Sequence, residues 1–450
     1  MCGIFGLTHP PGAPESILQA MGKILAHRGP DGEGSFVSEE VALGMRRLSI
    51  LDPTRGQQPF YNQNRTVGVV CNGEIYNFIE LRSHLMEKGY RFQTNCDVEV
   101  IPHLYEEYGI AFVHRLNGMY GMAIYDLGQN ILYLIRDRLG VKPLYYSLAG
   151  RHLIFASEIK ALFQTDLVAK EIDLESLSVL LDLMYLPAPA TPFSQIKKLP
   201  PGSYLKWRAG VCELVPYWTM ALPEACIQDE PRLAETLEGL LEDSVRLQMR
   251  SDVPIGCFLS GGIDSSAVTA LASLQTSLPM TTWHVRGTDM QGKMDESPLA
   301  AAVSRRYGTR HFTKSLADED LITELPKLIW HLEEPIGDGA FVLTYGLAKM
   351  AAEKVKVILS GAGGDELFGG YAHYRNLYFG ESLIKRLLFD KQVESSYYDR
   401  MAPRHASRWP EYFPWHRVSV SRKEEFDHPV NANRSQDPLN ALMLADLRWY

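Results

Sequence analysis

The chain has 450 residues, of which 46% are hydrophobic and 22% charged, with a net charge of −9. Such a length exceeds one ordinary core and predicts two or three domains, and the composition excludes disorder and fibrous repeats. The acidic balance argues against a general nucleic-acid binder, which needs a basic footprint.

Six scattered cysteines (Cys2, Cys71, Cys96, Cys212, Cys226, Cys257) form no CxxC pair. Neither a zinc knuckle nor a disulfide framework is expected, and a reducing cytoplasm fits best. No apolar run is long enough to span a bilayer and no basic leader precedes Pro10-Pro11-Gly12, so no membrane association is expected.

The chain opens Met1-Cys2-Gly3-Ile4-Phe5. Removal of Met1 would leave one residue carrying a thiol and a free α-amine, whose ordinary pKa of ~7.7–8.0 makes it a usable base near neutrality. Strands are predicted at 3–7, 67–71, 120–126 and 131–135, the last two as a hairpin around Gly128-Gln129-Asn130. Asn72-Gly73 reads as a turn that ends the 67–71 strand. Helical periodicity marks 15–25, 80–88 and 98–107. Strand clusters with interposed helices predict layered sheets with helices outside.

Five stretches of this half are too polar and glycine-rich for mere core. His27-Arg28-Gly29-Pro30-Asp31 reads by itself as a loop. Arg47, before Leu48-Ser49-Ile50-Leu51, suits a carboxylate clamp. Asn72 and Gly73 can offer an amide and a backbone N–H to a developing oxyanion, with Glu74 beside them. Asp97, in Asn95-Cys96-Asp97-Val98-Glu99, reads alone as a helix N-cap.

In this order the motifs resemble the class II glutamine amidotransferases, N-terminal-nucleophile hydrolases with an αββα sandwich. The likeness covers residues 2 to about 165 and includes Arg136-Asp137-Arg138-Leu139-Gly140 and Ala156-Ser157-Glu158-Ile159-Lys160. It implies that Cys2 attacks the side-chain amide of glutamine and releases ammonia through a thioester. It further implies that Arg47 and Asp97 hold the α-carboxylate and α-amine, that Leu48, Ser49, Ile50, Leu51 and Glu74 line the pocket, and that Asn72 and Gly73 form the oxyanion hole.

Proline-rich stretches at 186–192 and 199–202 suit a join. The expected division is an amidotransferase domain at 2–210, a linker at 211–231 and a second domain at 232–450. An amphipathic helix at 232–250 would bury Leu233, Leu237, Leu240, Leu241 and Val245. Beyond it, the apolar run 253–259 leads into Ser260-Gly261-Gly262-Ile263-Asp264-Ser265-Ser266 and a helix at 267–274. Strand, glycine loop and helix together form a phosphate-binding pattern. The loop is neither a GxxxxGK[ST] nor a GxGxxG motif. Strands at 281–285 and 355–359, with a helix at 298–306, predict a doubly wound parallel sheet. The last strand runs into Ser360-Gly361-Ala362-Gly363-Gly364-Asp365-Glu366.

The two glycine loops resemble those of the ATP-pyrophosphatase domain of glutamine-dependent asparagine synthetases. That likeness implies adenylation of a carboxylate by ATP, then displacement of AMP by ammonia, which must pass from one site to the other. On it, Leu259, Val285, Ser360 and Gly361 contact nucleotide, Ser260, Gly261, Gly262, Asp264, Ser265 and Ser266 cradle pyrophosphate, and Asp264 and Asp365 bind Mg²⁺. The partners implied are glutamine, ATP and aspartate or another carboxylate. The oligomeric state is left open, a homodimer included.

Two departures stand out. The family's carboxylate at the third position of the second loop is Ala362 here. The chain also ends at Tyr450, where the family continues into further helices, which reads as a truncated product. No chemistry is legible in 391–433. A glutaminase or amide donor with a degenerate second domain, or an amidotransferase for another carboxylate, is the alternative.

Overall fold

The computed structural model describes every residue except 10–13, 222–228, 288–294, 317, 338, 372–373, 375–407, 419–442, 445 and 448–450. Most of 391–433 and of the chain end therefore lies outside the described residues. The chain divides into two compact units, Met1–Ser176 with Pro187–Thr219, and Leu177–Leu186 with Met220–Tyr450.

The first unit runs β1 (Gly3–Thr8), α1 (Pro14–Ile24), β2 (Gly32–Val37), β3 (Val41–Arg47), β4 (Phe60–Tyr61), β5 (Val67–Ile75), α2 (Phe78–Glu87), α3 (Val100–Tyr108), β6 (Gly118–Asp126), β7 (Ile131–Arg136), β8 (Tyr145–Ala149), β9 (His152–Ala156) and α4 (Ile159–Leu162). After α5 (Leu174–Leu183) come β10 (Lys197–Lys198), β11 (Ser203–Arg208) and β12 (Val211–Pro216). Two six-stranded sheets result, in the orders β10-β8-β9-β1-β3-β2 and β12-β11-β7-β6-β5-β4. The ladders around β1 and β5 are antiparallel.

Side chains alternate across each strand, and here both faces are apolar because both are covered. Ile4, Leu43 and Met45 of one sheet meet Val70, Ala123 and Leu134 of the other. On the outer faces Phe5 and Leu7 pack with Leu18, Met21 and Leu25 of the α1 region, and Val69 and Met122 pack with Ile101 and Leu104 of α3. Helix, sheet, sheet and helix layers give the expected αββα sandwich. Truncating a fully buried member such as Leu43 to alanine costs about 2–5 kcal/mol.

Two expectations are corrected. Asn72-Gly73 does not end its strand: β5 continues to Ile75, with Asn72 opposite Gly121 and Gly73 opposite Tyr120. Pairing with β6 overrides the turn tendency of the dipeptide, and glycine is needed because a Cβ at Gly73 would lie 2.2 Å from the Met119 carbonyl oxygen. The stretch expected to begin the linker instead starts as β12, paired with β11 from Ser203↔Pro216 to Arg208↔Val211. Ala209 and Gly210 both have positive φ (50° and 87°), which suits the two-residue reversal that closes this hairpin.

The second unit contains α6 (Glu230–Gln248), β13 (Ile255–Phe258), α7 (Ile263–Leu274), β14 (Thr281–Gly287), α8 (Ser297–Tyr307), β15 (Arg310–Leu316), α9 (Asp318–Leu332), α10 (Ala340–Ala351), β16 (Val357–Leu359) and α11 (Gly364–Phe368). Its four strands are parallel in the order β15-β14-β13-β16. Helices lie on both faces. Val245, Val268 and Ala272 pack on one side with Cys257 and Leu359, and Leu347 and Ala351 pack on the other with Trp283 and Ile358. The sheet is doubly wound, as expected.

Helix α6 departs from its pattern. Val245 is buried at its end, whereas Leu233, Leu237 and Leu240 are 46%, 38% and 65% exposed. Only its last turns reach the sheet.

Candidate active sites

In the first unit, strand parity brings the thiol and the amide to one place. Ile4 and Val70 face the space between the sheets. Cys2 shares the parity of Ile4, and Asn72 and Glu74 share that of Val70, so all three turn toward that interior. The Cys2 sulfur accepts the Leu48 N–H at 3.4 Å and lies 3.7 Å from the Leu48 carbonyl oxygen. Asn72 is 1% exposed, and its side-chain nitrogen, though buried, has no hydrogen-bond partner. A buried amide donor left unpaired is costly in a resting fold and is suited to an oxyanion that forms later.

The glutamine-pocket candidates are tied together by backbone bonds. Arg47 donates to the carbonyls of Leu51 (2.7 Å), Asp52 (2.9 Å) and Pro53 (3.2 Å), which folds the 48–53 loop around the guanidinium. Asp31 accepts the Ser49 N–H at 2.8 Å, so the His27–Asp31 stretch is scaffold for this loop. Asp52 accepts the N–H of Asn95 at 2.8 Å, joining the Arg47 loop to the segment that carries Asp97. Ile50 packs beside Leu51 on the α3-side core.

Asp97 is not simply a cap. Its Oδ2 accepts the Ile75 N–H at 2.7 Å, across to β5. The helix expected from 98 begins as a 3₁₀ turn at Asp97–Glu99, with Cys96 in the capping position.

Charge in this pocket is finely set. Burial pushes the Cys2 thiol up, with the Leu48 N–H opposing, so the resting sulfur holds its proton. Burial and the neighbouring Asp97 push Glu74 well above the ordinary carboxylate range. Burial also raises Asp97 against the N–H groups it accepts. Two adjacent carboxylates of raised pKa would suit an ammonium group, whose arrival would draw off their proton.

Other residues organise the site without having been singled out for it in the sequence. Arg28 donates from Nε to the Cys2 carbonyl at 2.9 Å and from NH1 to Glu158 at 2.9 Å. Glu158 also meets His27 at 3.0 Å and Lys160 at 2.6 Å. Burial alone would raise Glu158, but the His27 hydrogen bond and the Arg28 and Lys160 cations hold it at about 2. Asp137, fully enclosed, gathers the N–H groups of Tyr120 (3.1 Å), Leu139 (3.1 Å), Val141 (2.9 Å) and Lys142 (3.0 Å). This loop delivers Lys142 to the Cys2 side. In the sequence Arg136–Gly140 figured only as part of the family likeness, which did not say where the neighbouring lysine would point.

In the second unit the strand order reverses between β13 and β16, the place where open parallel sheets bind ligands at strand carboxyl ends. The loop 260–266 leaves β13 there and 360–364 leaves β16. Leu259, nearly fully buried, donates its N–H to the Trp283 carbonyl at 2.9 Å and ends the strand. Ser260 and Ser265 share a hydroxyl contact of 2.8 Å, and the Gly262 N–H reaches the Ser260 oxygen at 3.1 Å. Gly261 has φ +97°, and a Cβ there would strike Ala300 and Leu299 of α8 at 2.8 Å. A Cβ at Gly361 would lie 2.6 Å from the Ser265 nitrogen, so the two loops touch. Ser266 keeps a buried hydroxyl without a partner. Ser360 accepts the Ala362 N–H at 3.1 Å, and Val285, on β14, pairs beside Lys314 of β15.

The Asp264 carboxylate presses on Gly364, 2.5 Å from where a Cβ would stand. Burial, then Asp264 and Glu366, push Asp365 up. An aspartate whose charge is disfavoured by burial and acidic neighbours fits a Mg²⁺ ion whose remaining ligands are water and phosphate. No group of three or more His, Cys, Asp or Glu among the described residues is arranged to hold a metal by itself.

Residues 1–218 match the family profile of the glutamine amidotransferase domain and residues 236–450 that of asparagine synthase. The chain is 38% identical over 382 residues to glutamine-hydrolysing asparagine synthetase 1 of Bacillus subtilis, covering 83% of this chain and 60% of that protein. A Methanocaldococcus jannaschii protein named for the same activity is 35% identical over 420 residues, covering 88% of this chain and 80% of its own. Amidase chry2 of Gibberella zeae is 32% identical over 408 residues, covering 83% and 60%. The chain thus spans about three-fifths of the length of two of these relatives. With a thiol and an unpaired amide between its sheets, paired glycine loops at a strand-order reversal, and both profiles matched in sequence, this chain belongs to the glutamine-hydrolysing asparagine synthetase family.

Proposed function

We propose that the first unit hydrolyses glutamine and that the second uses the ammonia to amidate a carboxylate activated by ATP, with aspartate the first candidate. The observation that carries this reading is the buried, partnerless Asn72 amide on the interior face shared with Cys2. Once Met1 is removed, the α-amine takes the thiol proton, and the sulfur bonds to the amide carbon of glutamine. The oxyanion is met by Asn72 and the Gly73 N–H, while Asp97 with Glu74 and Arg47 hold the substrate's two charged ends. As the C–N bond breaks, the amine returns the proton to nitrogen and ammonia leaves. Water then cleaves the thioester to glutamate.

In the second unit the acceptor carboxylate attacks the α-phosphorus of ATP, pyrophosphate departs, and ammonia displaces AMP from the adenylate. Ser260 to Ser266 and Ser360 to Gly361 are the proposed nucleotide contacts. Asp264 and Asp365 would hold Mg²⁺, which when bound neutralises phosphate charge. No described helix is long and apolar enough to cross a membrane. With the acidic composition this supports a cytoplasmic enzyme of small molecules rather than of nucleic acid or membrane.

Ala362 favours a second reading, a glutaminase or amide donor whose second unit no longer makes adenylate, or one whose acceptor is another carboxylate. Three measurements decide: ammonia from glutamine, pyrophosphate from ATP with a panel of carboxylates, and both in Cys2→Ala. Pyrophosphate from the variant supplied with aspartate and ammonium salt supports the full reaction. None with any carboxylate leaves only the glutaminase. Ammonia production by protein that still carries Met1, as seen by mass spectrometry, would falsify the nucleophile assignment.

A further inference from the structure

The backbone groups of β5 point alternately to its two neighbouring strands. The Tyr76 N–H goes to Asn117 on the β6 side at 2.8 Å, whereas the Val67 carbonyl accepts from Asn62 on the β4 side at 3.3 Å. Cys71, Gly73 and Ile75 share the parity of Val67, so their N–H groups point to the β4 edge. Tyr120 agrees: it stands opposite Gly73, yet its N–H and carbonyl both bond Asp137, at 3.1 and 2.8 Å. Strand β4 covers that edge only as far as Phe60 opposite Val69. Gln58-Pro59 precedes it, and proline has no N–H to give the ladder.

Side chains finish the edge. Gln58 is 5% exposed; its Oε1 accepts the Cys71 N–H at 2.7 Å and its Nε2 donates to the Cys71 carbonyl at 3.1 Å. The amide so fills the place that the Gln58 backbone would take if the register continued. Strand β2 closes against it, since a Cβ at Gly34 would lie 1.9 Å from the Gln58 carbonyl oxygen. At the other end the Ile75 N–H is held by Asp97 at 2.7 Å. Between these two clamps the Gly73 N–H has no bond among the described residues.

We propose that Gln58 is a positioning residue for glutamine hydrolysis, its amide holding Cys71 so that Asn72 and Gly73 keep their donors aimed where the oxyanion forms. The inference deepens the glutaminase reading and rests on it. Without the amide, both peptide groups of buried Cys71 lose their partner, and β5 must shift to satisfy them. Asn72 and Gly73 shift with it, and donors that have to reorganise stabilise an oxyanion less. Arg47 is anchored separately, by the carbonyls of residues 51–53, so grip on the substrate's carboxylate end is kept.

The test compares wild type, Gln58→Met and Gln58→Glu in kcat and KM for glutamine, and in competitive inhibition by glutamate and by its γ-aldehyde. The Cys2 sulfur bonds to the aldehyde carbon as the C=O π bond opens, and the thiol proton passes to the oxygen, which lies where the oxyanion would. Glutamate fills the pocket without that bond. Gln58→Met, similar in length but unable to make either bond, should lower kcat about tenfold with KM within about twofold. It should also weaken the aldehyde about tenfold relative to glutamate. An unfolded fraction weakens both inhibitors equally, so their ratio reads the hole even in a less stable variant. Gln58→Glu, whose carboxyl keeps its proton when buried and can make both bonds, should recover most of that ratio. An unchanged ratio in Gln58→Met, or no recovery in Gln58→Glu, overturns the inference and leaves the glutaminase reading standing. No ammonia from wild type overturns both.

Discussion

The two sites of this chain are built on opposite plans. Around Cys2 the chemistry is carried by side chains enclosed between sheets: Asn72, Asp97 and Arg47 are 1%, 3% and 4% exposed. Around Asp264 it is carried by backbone loops at strand ends, where Ser260 and Ala362 are exposed and Ile263 is 88% exposed. The difference follows from what each would do on the proposed reading. Covalent attack on an amide needs donors fixed before the charge appears, because reorganisation at that moment would raise the barrier. Polyphosphate is held by many N–H groups at a helix start, and such a cradle works while open to solvent.

The contrast is sharpest if the sites fail separately. Cys2→Ala should lower ammonia release from glutamine by at least about 10⁴-fold, the scale of losing a nucleophile. In the same protein, pyrophosphate release supplied with ammonium salt should stay within twofold of wild type. Loss of both would erase the distinction.

Asn72→Ala should lower kcat for glutamine by about 10²–10³ with little change in KM, since on the proposed reading the amide meets only the oxyanion. A change confined to KM would recast Asn72 as a ground-state contact. Asp264→Asn should reduce pyrophosphate release by roughly 100-fold, the several kcal/mol a metal contributes at phosphate, and added Mg²⁺ should recover part of it. Glutaminase activity measured in that variant should be unchanged.

The last expectation concerns stability. Glu158 sits at about 2 when folded, below its ordinary 4.5. Its contribution, about 3 kcal/mol, is therefore fully present above the unfolded value and lost as pH falls toward 2. Urea unfolding of wild type and Glu158→Gln should differ by that amount at pH 7, and the gap should close at pH 2. A constant gap would assign the Glu158 cluster to packing rather than charge.

How far these sites were readable depends on whether chemistry or partnership names the residue. Cys2, Asn72 and the two glycine loops stood out because few residue types can perform their tasks. Asn72-Gly73 was misread as a turn because the dipeptide is judged locally, whereas β6 supplied a partner for both residues. Val211–Pro216 looked like linker until β11 gave it an edge to pair with. Helix α6 has a clear apolar stripe, yet Leu233, Leu237 and Leu240 of that stripe stay exposed. Lys142 was invisible, since a lysine beside a glycine turn reads as solvated.

The order of residues alone determined which groups are available and how they alternate along each strand: a leading thiol, an amide at the parity of Val70, and glycines where strands give way to helices. Tertiary structure decided what each group lacks. Only after the sheets closed did the Asn72 side-chain nitrogen lose every partner and Asp97 reach Ile75, because solvation and pairing depend on what folds against a side chain from distant parts of the chain.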